Sequence, residues 1–138
     1  MSKIVILGAG ISCHVAAAHL RRKLSKEHEI LVVSPNSNYQ WIPSNIWIGI
    51  GRMETKDIIF PLAPLYKKKN IGYKQAKVVT FHPEGDADVD KPFVLVEYFV
   101  DDEKGKQEKV TYDYLINATG PKLAFDMTEG LLPGTNKA

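Results

Sequence analysis

Continuous apolar runs separated by polar stretches open the chain, and this pattern predicts a βαβ unit. Residues 3–7 and 29–34 each contain four Ile, Leu or Val residues, which is typical of parallel strands buried on both faces. Between them, residues 12–24 carry apolar side chains at helical spacing. The basic run Arg21–Lys23 falls in the last turns, where cations complement the helix dipole. A strand, a glycine turn, a helix and a second strand predict a right-handed crossover.

The second half of the chain has a different pattern. A further apolar run near residues 71–79 predicts another parallel strand. Residues 93–100 and 109–112 predict a hairpin, because a polar turn containing Gly105 separates them. The sequence therefore predicts an α/β fold in which a β-meander, from about residue 80 to 112, lies over one face of a parallel sheet. The strands of that sheet are expected near residues 3–7, 29–34, 71–76 and 113–118.

Residues 35–51 are aromatic, rich in proline and glycine, and free of charged side chains. Such a segment either packs on the core of its own domain or lines a cofactor or substrate. Its position directly after the second strand favours the second interpretation. Trp41 and Trp47 would then stack near the ligand, whereas in the first interpretation they fill the core. The next polar stretch, residues 57–69, predicts a helix interrupted by two prolines.

Composition and charge exclude several classes of function. The chain has 138 residues, of which 44% are hydrophobic and 25% charged, as expected for one globular domain. Its net charge is only +2, which gives no support to a nucleic-acid binder. One cysteine excludes an intrachain disulfide, a C-x-x-C redox pair and a multi-cysteine zinc site. The four histidines have no spacing typical of ligands, so no metal site is predicted.

Hydropathy also bears on the location of the protein. No run approaches the roughly 18–20 apolar residues that a membrane span needs. The first apolar run, residues 4–7, is too short for the core of a signal peptide. These features predict a cytoplasmic protein without a signal peptide, or one that lies peripherally on a membrane surface.

A glycine turn joins the first strand to the first helix. Gly8 permits the sharp turn, and Gly10 lets the backbone approach a pyrophosphate, whose charge the helix N-terminus stabilises. Cys13 stands where this motif usually has a third glycine. A small side chain there still allows the helix to pack closely on the strand. We therefore expect Cys13 to be a buried packing residue and not a reactive thiol.

The end of the second strand lacks the acidic residue that usually contacts the ribose of a dinucleotide. Ser34, Pro35 and Asn36 stand in its place. A serine hydroxyl or an asparagine amide would then replace the carboxylate as the hydrogen-bonding partner of the ribose. The alternative is that these three residues form only a turn.

Two longer motifs make the interpretation more specific. Residues 39–51 (YQWIPSNIWIGIG) and 118–125 (ATGPKLAF) together resemble the amino-terminal part of sulfide:quinone oxidoreductases. These enzymes are relatives of type II NADH dehydrogenases. They belong to the disulfide-reductase-like superfamily of flavoproteins that have two dinucleotide-binding domains. The resemblance covers essentially the whole chain and extends to the absence of the acid at residues 34–36.

The resemblance implies a Rossmann-like FAD-binding fold. Residues 1–138 would be the amino-terminal portion of an FAD-binding domain, with no second domain in this chain. The ADP half of FAD would lie at Gly8, Gly10, Ile11, Ser34 and Asn36. The adenine would meet the backbone of Lys77 and Val78. The flavin nucleotide would lie near Pro43, Ser44, Thr119 and Gly120.

The resemblance further implies an enzyme that oxidises sulfide and passes electrons through FAD to a membrane quinone. Its redox cysteines are expected beyond residue 138, so the chain is predicted to be a truncated, inactive fragment without a catalytic residue. The complete protein would be a peripheral membrane protein, and assembly into a homo-oligomer stays open. The alternatives are a flavoprotein similar to type II NADH dehydrogenases and a nucleotide-binding module without catalysis.

Overall fold

The computed structural model describes residues 1–121, Ala124 and Met127. The strands in this part of the chain are β1 (Lys3–Leu7), β2 (Glu29–Ser34), β3 (Asn38–Gln40), β4 (Ile59–Pro61), β5 (Gly72–His82), β6 (Phe93–Tyr98), β7 (Gln107–Thr111) and β8 (Tyr114–Asn117). The α-helices are α1 (Ile11–Lys23), α2 (Asn45–Gly49) and α3 (Leu62–Lys68). Short 3-10 turns lie at Ile42–Ser44, Thr55–Asp57 and Asp101–Glu103.

Six strands form one sheet, in the order β7-β6-β5-β2-β1-β8. β1 lies between β2 and β8 and pairs in parallel with both. β5 extends this parallel half by pairing with β2. β6 and β7 then continue the sheet as an antiparallel meander. A separate antiparallel pair, β3 with β4, lies outside this sheet.

The two faces of the parallel strands are covered differently. Alternate residues of β1 and β2 pack against helices α1 and α3 on one face, in a cluster that includes Ile6, Val32 and Tyr66. On the other face, Val5 and Val33 belong to a cluster with residues of the meander. Each face therefore removes its apolar side chains from water, which explains the unbroken apolar runs of these strands.

The predicted α/β class and the meander over one face are confirmed, but β5 is longer than expected. Its residues 72–75 pair with β2, whereas residues 76–82 pair with β6. The register shifts between Val78 and Thr80, and an irregularity of this kind bends and twists a strand. One strand thus belongs to both halves of the sheet and lets the meander curl over the face that contains Val5.

The prolines and the aromatic segment form more regular structure than the sequence predicted. Residues 35–51 include β3 and α2, where a loop was expected. The predicted helix over residues 57–69 divides into β4 and α3, and Pro61, the last residue of β4, is the N-cap of α3. Pro64 lies in the first turn of α3, where its missing N–H costs no helical hydrogen bond. Within the described residues, no helix is long and apolar enough to cross a membrane.

Candidate dinucleotide-binding site

The turn after β1 brings the glycine motif against the end of β8. Gly8 has φ of +114°, in the region that side chains rarely adopt, and its N–H donates to the Val33 carbonyl at 2.8 Å. A Cβ on Gly8 would stand 2.3 Å from the Ala118 carbonyl oxygen and 3.2 Å from the Thr119 Cα. Gly8 is therefore required by the close contact between two turns of the protein itself.

Gly10 stands in a different environment, although it lies only two residues further along. It is the N-cap of α1, and no side chain of the described residues caps the helix there. A Cβ on Gly10 would meet no heavy atom within 4 Å. The N–H groups of the first helical turn have no partner within a helix, so this open side can take an anion such as a pyrophosphate.

Cys13 is fully buried in the cluster between the helices and the sheet that includes Ile6, Val32 and Tyr66, which we call the helix-side core. Burial raises the pKa of its thiol to about 11. The thiolate is therefore scarce at neutral pH, and the interpretation as a packing residue is confirmed over that of a reactive thiol. The small side chain takes the place of the third glycine and still lets α1 pack on β1.

One hydrogen bond within the turn and two from β5 hold the turn that follows β2. Ser34 is only 1% exposed, and its hydroxyl oxygen accepts the N–H of Asn36 at 3.1 Å. Tyr73 donates its hydroxyl to the Asn36 carbonyl at 2.5 Å. Gln75 donates its side-chain amide to the Pro35 carbonyl at 3.3 Å. Residues 34–36 thus form a fixed turn at the carboxyl end of β2.

A cleft of about 460 Å³ opens between the glycine turn and this second turn. Of the predicted site residues, Gly10 and Asn36 line it, whereas Ser34 lies beneath its surface. Asparagine and glutamine residues from three segments of the chain line it. The described residues that line the cleft are all uncharged: Ala9, Gly10, Pro35, Asn36, Ser37, Asn38, Gln40, Ile42, Ile59 and Gln75.

The remaining predicted residues lie around the same end of the sheet without lining the cleft. Lys77 and Val78 follow the last pair of β5 with β2, Ser34 with Gln75, so β5 continues past the end of β2. Thr119 follows β8, and its N–H and hydroxyl donate to the Asn117 side chain at 3.2 and 2.8 Å. The carboxyl ends of parallel strands are where ligands bind in open α/β sheets.

The aromatic segment borders the cleft through Ile42. Pro43 and Ser44 follow in the 3-10 turn, Pro43 exposed and Ser44 half-buried. Trp41 and Trp47 are 40% and 44% exposed, so the hypothesis that they fill the core is wrong. Tyr39, in contrast, is buried in the helix-side core.

The second motif, residues 118–125, is only partly described by the structure. Gly120, at the turn after β8, has φ of +76°. Lys122, Leu123 and Phe125 of the second motif lie outside the described residues. Sequence reasoning missed Tyr73 and Gln75, although their spacing of two on one strand places them on one face. No group of three His, Cys, Asp or Glu residues within the described part could hold a metal ion.

Residues 2–138 match the pyridine nucleotide-disulphide oxidoreductase family. The chain belongs to this family. The predicted resemblance is also confirmed: a sulfide-quinone reductase of Aquifex aeolicus is 31% identical over 122 residues, which are 88% of this chain and 25% of that protein. The X-ray structure of the sulfide:quinone oxidoreductase from Aquifex aeolicus matches 91% of this chain and 26% of that one, with a TM-score of 0.75 and 28% identity.

Two further proteins that are similar to this chain are named as quinone or ubiquinone oxidoreductases. A mitochondrial sulfide:quinone oxidoreductase of Dictyostelium discoideum is 28% identical over 99% of this chain and 27% of its own length. A mitochondrial external alternative NAD(P)H-ubiquinone oxidoreductase of Arabidopsis thaliana is 25% identical over 86% of this chain and 20% of its own. The chain thus spans about a quarter of the length of the relatives that it matches.

Proposed function

We propose that residues 1–138 are the amino-terminal portion of the FAD-binding domain of a flavoprotein that oxidises sulfide and passes electrons to a quinone. The observation that carries this proposal is the open side of Gly10, where an uncapped helix N-terminus faces an uncharged cleft. The likeness to sulfide-quinone reductases supports the choice of substrate.

The residues present fit the phosphate and ribose groups of FAD. The backbone at Gly10 and Ile11 would bind the pyrophosphate, because a Cβ is absent where the phosphates approach. Gly8 shapes the turn that presents these N–H groups. Asn36 lines the cleft and its side-chain amide would bind the ribose, while the buried Ser34 hydroxyl accepts the Asn36 backbone N–H.

The two ends of FAD would lie further along the carboxyl edge of the sheet. The adenine would meet the backbone of Lys77 and Val78, where β5 has passed the end of β2. The flavin nucleotide would lie between the turn containing Pro43 and Ser44 and the turn that begins at Thr119 and Gly120. Bound FAD would supply a two-electron carrier, and these residues would bind and orient it.

Sulfide chemistry would use groups in the part of the relatives that this chain does not span. Sulfide oxidation needs a thiolate and a second sulfur that accepts the product. Cys13 is the one cysteine of the sequence, and its buried thiol, with a raised pKa, serves neither role. We place the quinone partner at a membrane surface, with the complete protein bound peripherally and self-association open.

A second candidate function is NADH oxidation with a quinone acceptor. The 25% identity to the Arabidopsis thaliana NAD(P)H-ubiquinone oxidoreductase supports it. The same FAD site would serve both reactions, so the choice depends on the electron donor. Assays of the complete protein with sulfide and with NADH separate the two functions, and flavin without either activity would favour a non-catalytic nucleotide-binding module.

Gly10→Val tests the cofactor site directly. The Cβ of valine would meet no heavy atom within 4 Å and its methyl groups would enter the space of the pyrophosphate, so the fold should be retained. We expect the purified complete protein to carry flavin and the variant to lose most of it, with the melting temperature of the wild type after removal of its flavin. Absorbance of released flavin per mole of protein measures this.

Gly8→Ala is the matched comparison in the same turn. Its Cβ would clash with the Ala118 carbonyl, and its φ is unfavourable for alanine, so it should lower the free energy of unfolding by about 2–4 kcal/mol. Unchanged flavin content in the stably folded Gly10→Val variant would contradict the proposed pyrophosphate site.

A further inference from the structure

Two side chains of β5 hold the turn that would receive the ribose. Tyr73 donates to the Asn36 carbonyl and Gln75 to the Pro35 carbonyl, at 2.5 and 3.3 Å. Tyr73 pairs with Val32 in the sheet, and Gln75 pairs with Ser34. The two donors therefore lie beside the last residues of β2, on the same face of their strand.

The ring of Tyr73 packs against the core between the helices and the sheet. Its ring centroid lies 5.8 Å from that of Tyr66, which is fully buried between α3 and the sheet. Gln75 itself lines the cleft, as do Pro35 and Asn36, whose carbonyls the two side chains bind. The wall of the cleft is therefore tied to the sheet by contacts from a strand that is distant in sequence.

We propose that Tyr73 and Gln75 are positioning residues for ribose recognition. They fix the backbone of residues 35 and 36, so that the Asn36 amide meets the ribose 2′-hydroxyl where related sites use a carboxylate. Without these two hydrogen bonds to the turn, the Asn36 amide would lose its contact with the ribose. The net free energy of one hydrogen bond does not offset the conformational entropy that is lost when a loop becomes ordered. This inference rests on the proposed function, since it concerns the same FAD site.

The experiment compares ADP with 2′-deoxy-ADP, binding to the complete protein after removal of its flavin. The wild type should bind ADP about 5- to 20-fold more tightly, as expected for one hydrogen bond to the 2′-hydroxyl. In Tyr73→Phe and in Gln75→Leu, this preference should fall to less than about twofold. The affinity for 2′-deoxy-ADP should change little, and isothermal titration calorimetry measures the six dissociation constants of the three proteins.

Tyr98→Phe is the matched control. It also removes one phenolic hydroxyl from a strand of this sheet, but that hydroxyl bonds Lys74 and Glu108, and Tyr98 does not line the cleft. Its preference for ADP should equal that of the wild type. Equal melting temperatures of the variants and the wild type establish that the fold is retained, and Gln75→Leu provides the test if Tyr73→Phe does not fold.

The outcomes distinguish a failure of this inference from a failure of the proposed FAD site. A wild type that binds neither nucleotide overturns the FAD site itself. A wild type that prefers ADP, with the same preference in both variants, overturns the positioning role alone. Equal weakening of both nucleotides in the variants also overturns it, because that result shows only a general structural effect.

Discussion

Each residue of the glycine turn has a role that depends on the atoms that surround it. Gly8 is close to the backbone of Ala118, Gly10 faces open space, and Cys13 is enclosed by the helix-side core. The sequence predicted the turn at Gly8 and the buried packing of Cys13 because the motif is local, and the pyrophosphate contact at Gly10 stays a prediction. Tyr73 and Gln75 could not be found in this way, since Tyr73 bonds a residue 37 positions away and only the parallel pairing brings them together.

The buried thiol of Cys13 predicts a loss of stability in alkaline solution. Burial raises its pKa from 9.0 to about 11, and burial also raises the pKa of the neighbouring Tyr66. Above about pH 9 the unfolded chain releases the thiol proton, while the folded chain keeps it. The free energy of unfolding should therefore fall as the pH rises from 9 towards 11.

Urea titrations at pH 7, 9 and 10.5 measure this dependence. Cys13→Ala should be less stable at pH 7, because a buried sulfur is lost, but its stability should fall less steeply above pH 9. The Cys13 side chain also raises the pKa of Tyr66, so the difference in slope reports the thiol together with its effect on Tyr66. Parallel curves for the two proteins would show that the thiol does not contribute.

At the scale of elements, β5 determines the shape of the sheet because it pairs in two directions. The alternation of apolar and polar residues predicted the meander. The end of β5 could not be predicted, because the first part of this strand pairs with β2 and the second part pairs with β6. The short elements β3 and α2 were missed for a related reason. Three to five residues carry too little periodicity to be distinguished from a loop.

Removing apolar volume from the meander should destabilise the protein. Val96 on β6 is fully buried against the face of the parallel strands that contains Val5. Val96→Ala should lower the free energy of unfolding by about 2 kcal/mol, through lost burial and a residual cavity. Val79→Ala, at a β5 position that is 43% exposed, should cost less than about 1 kcal/mol. Equal losses in denaturant titrations would contradict the packing of the meander on this face.

At the scale of the whole molecule, the chain contains the proposed cofactor cleft but not the pair of thiols that sulfide chemistry would use. The 138 residues alone should therefore show no sulfide-dependent reduction of a soluble quinone, and they should bind FAD weakly. The reference is the sulfide-quinone reductase of Aquifex aeolicus, assayed under the same conditions. Measurable turnover by the 138-residue chain would show that the proposed position of the catalytic cysteines is wrong.

The central place of β1 has a consequence for synthesis on the ribosome. β1 pairs with β2, which is complete at residue 34, and with β8, which begins only at residue 114. At about 5–20 residues per second, translation leaves one edge of β1 uncovered for on the order of ten seconds. An exposed edge of this kind can pair with another nascent chain. A chaperone that binds the nascent chain during that interval would prevent this pairing until β8 has been synthesised.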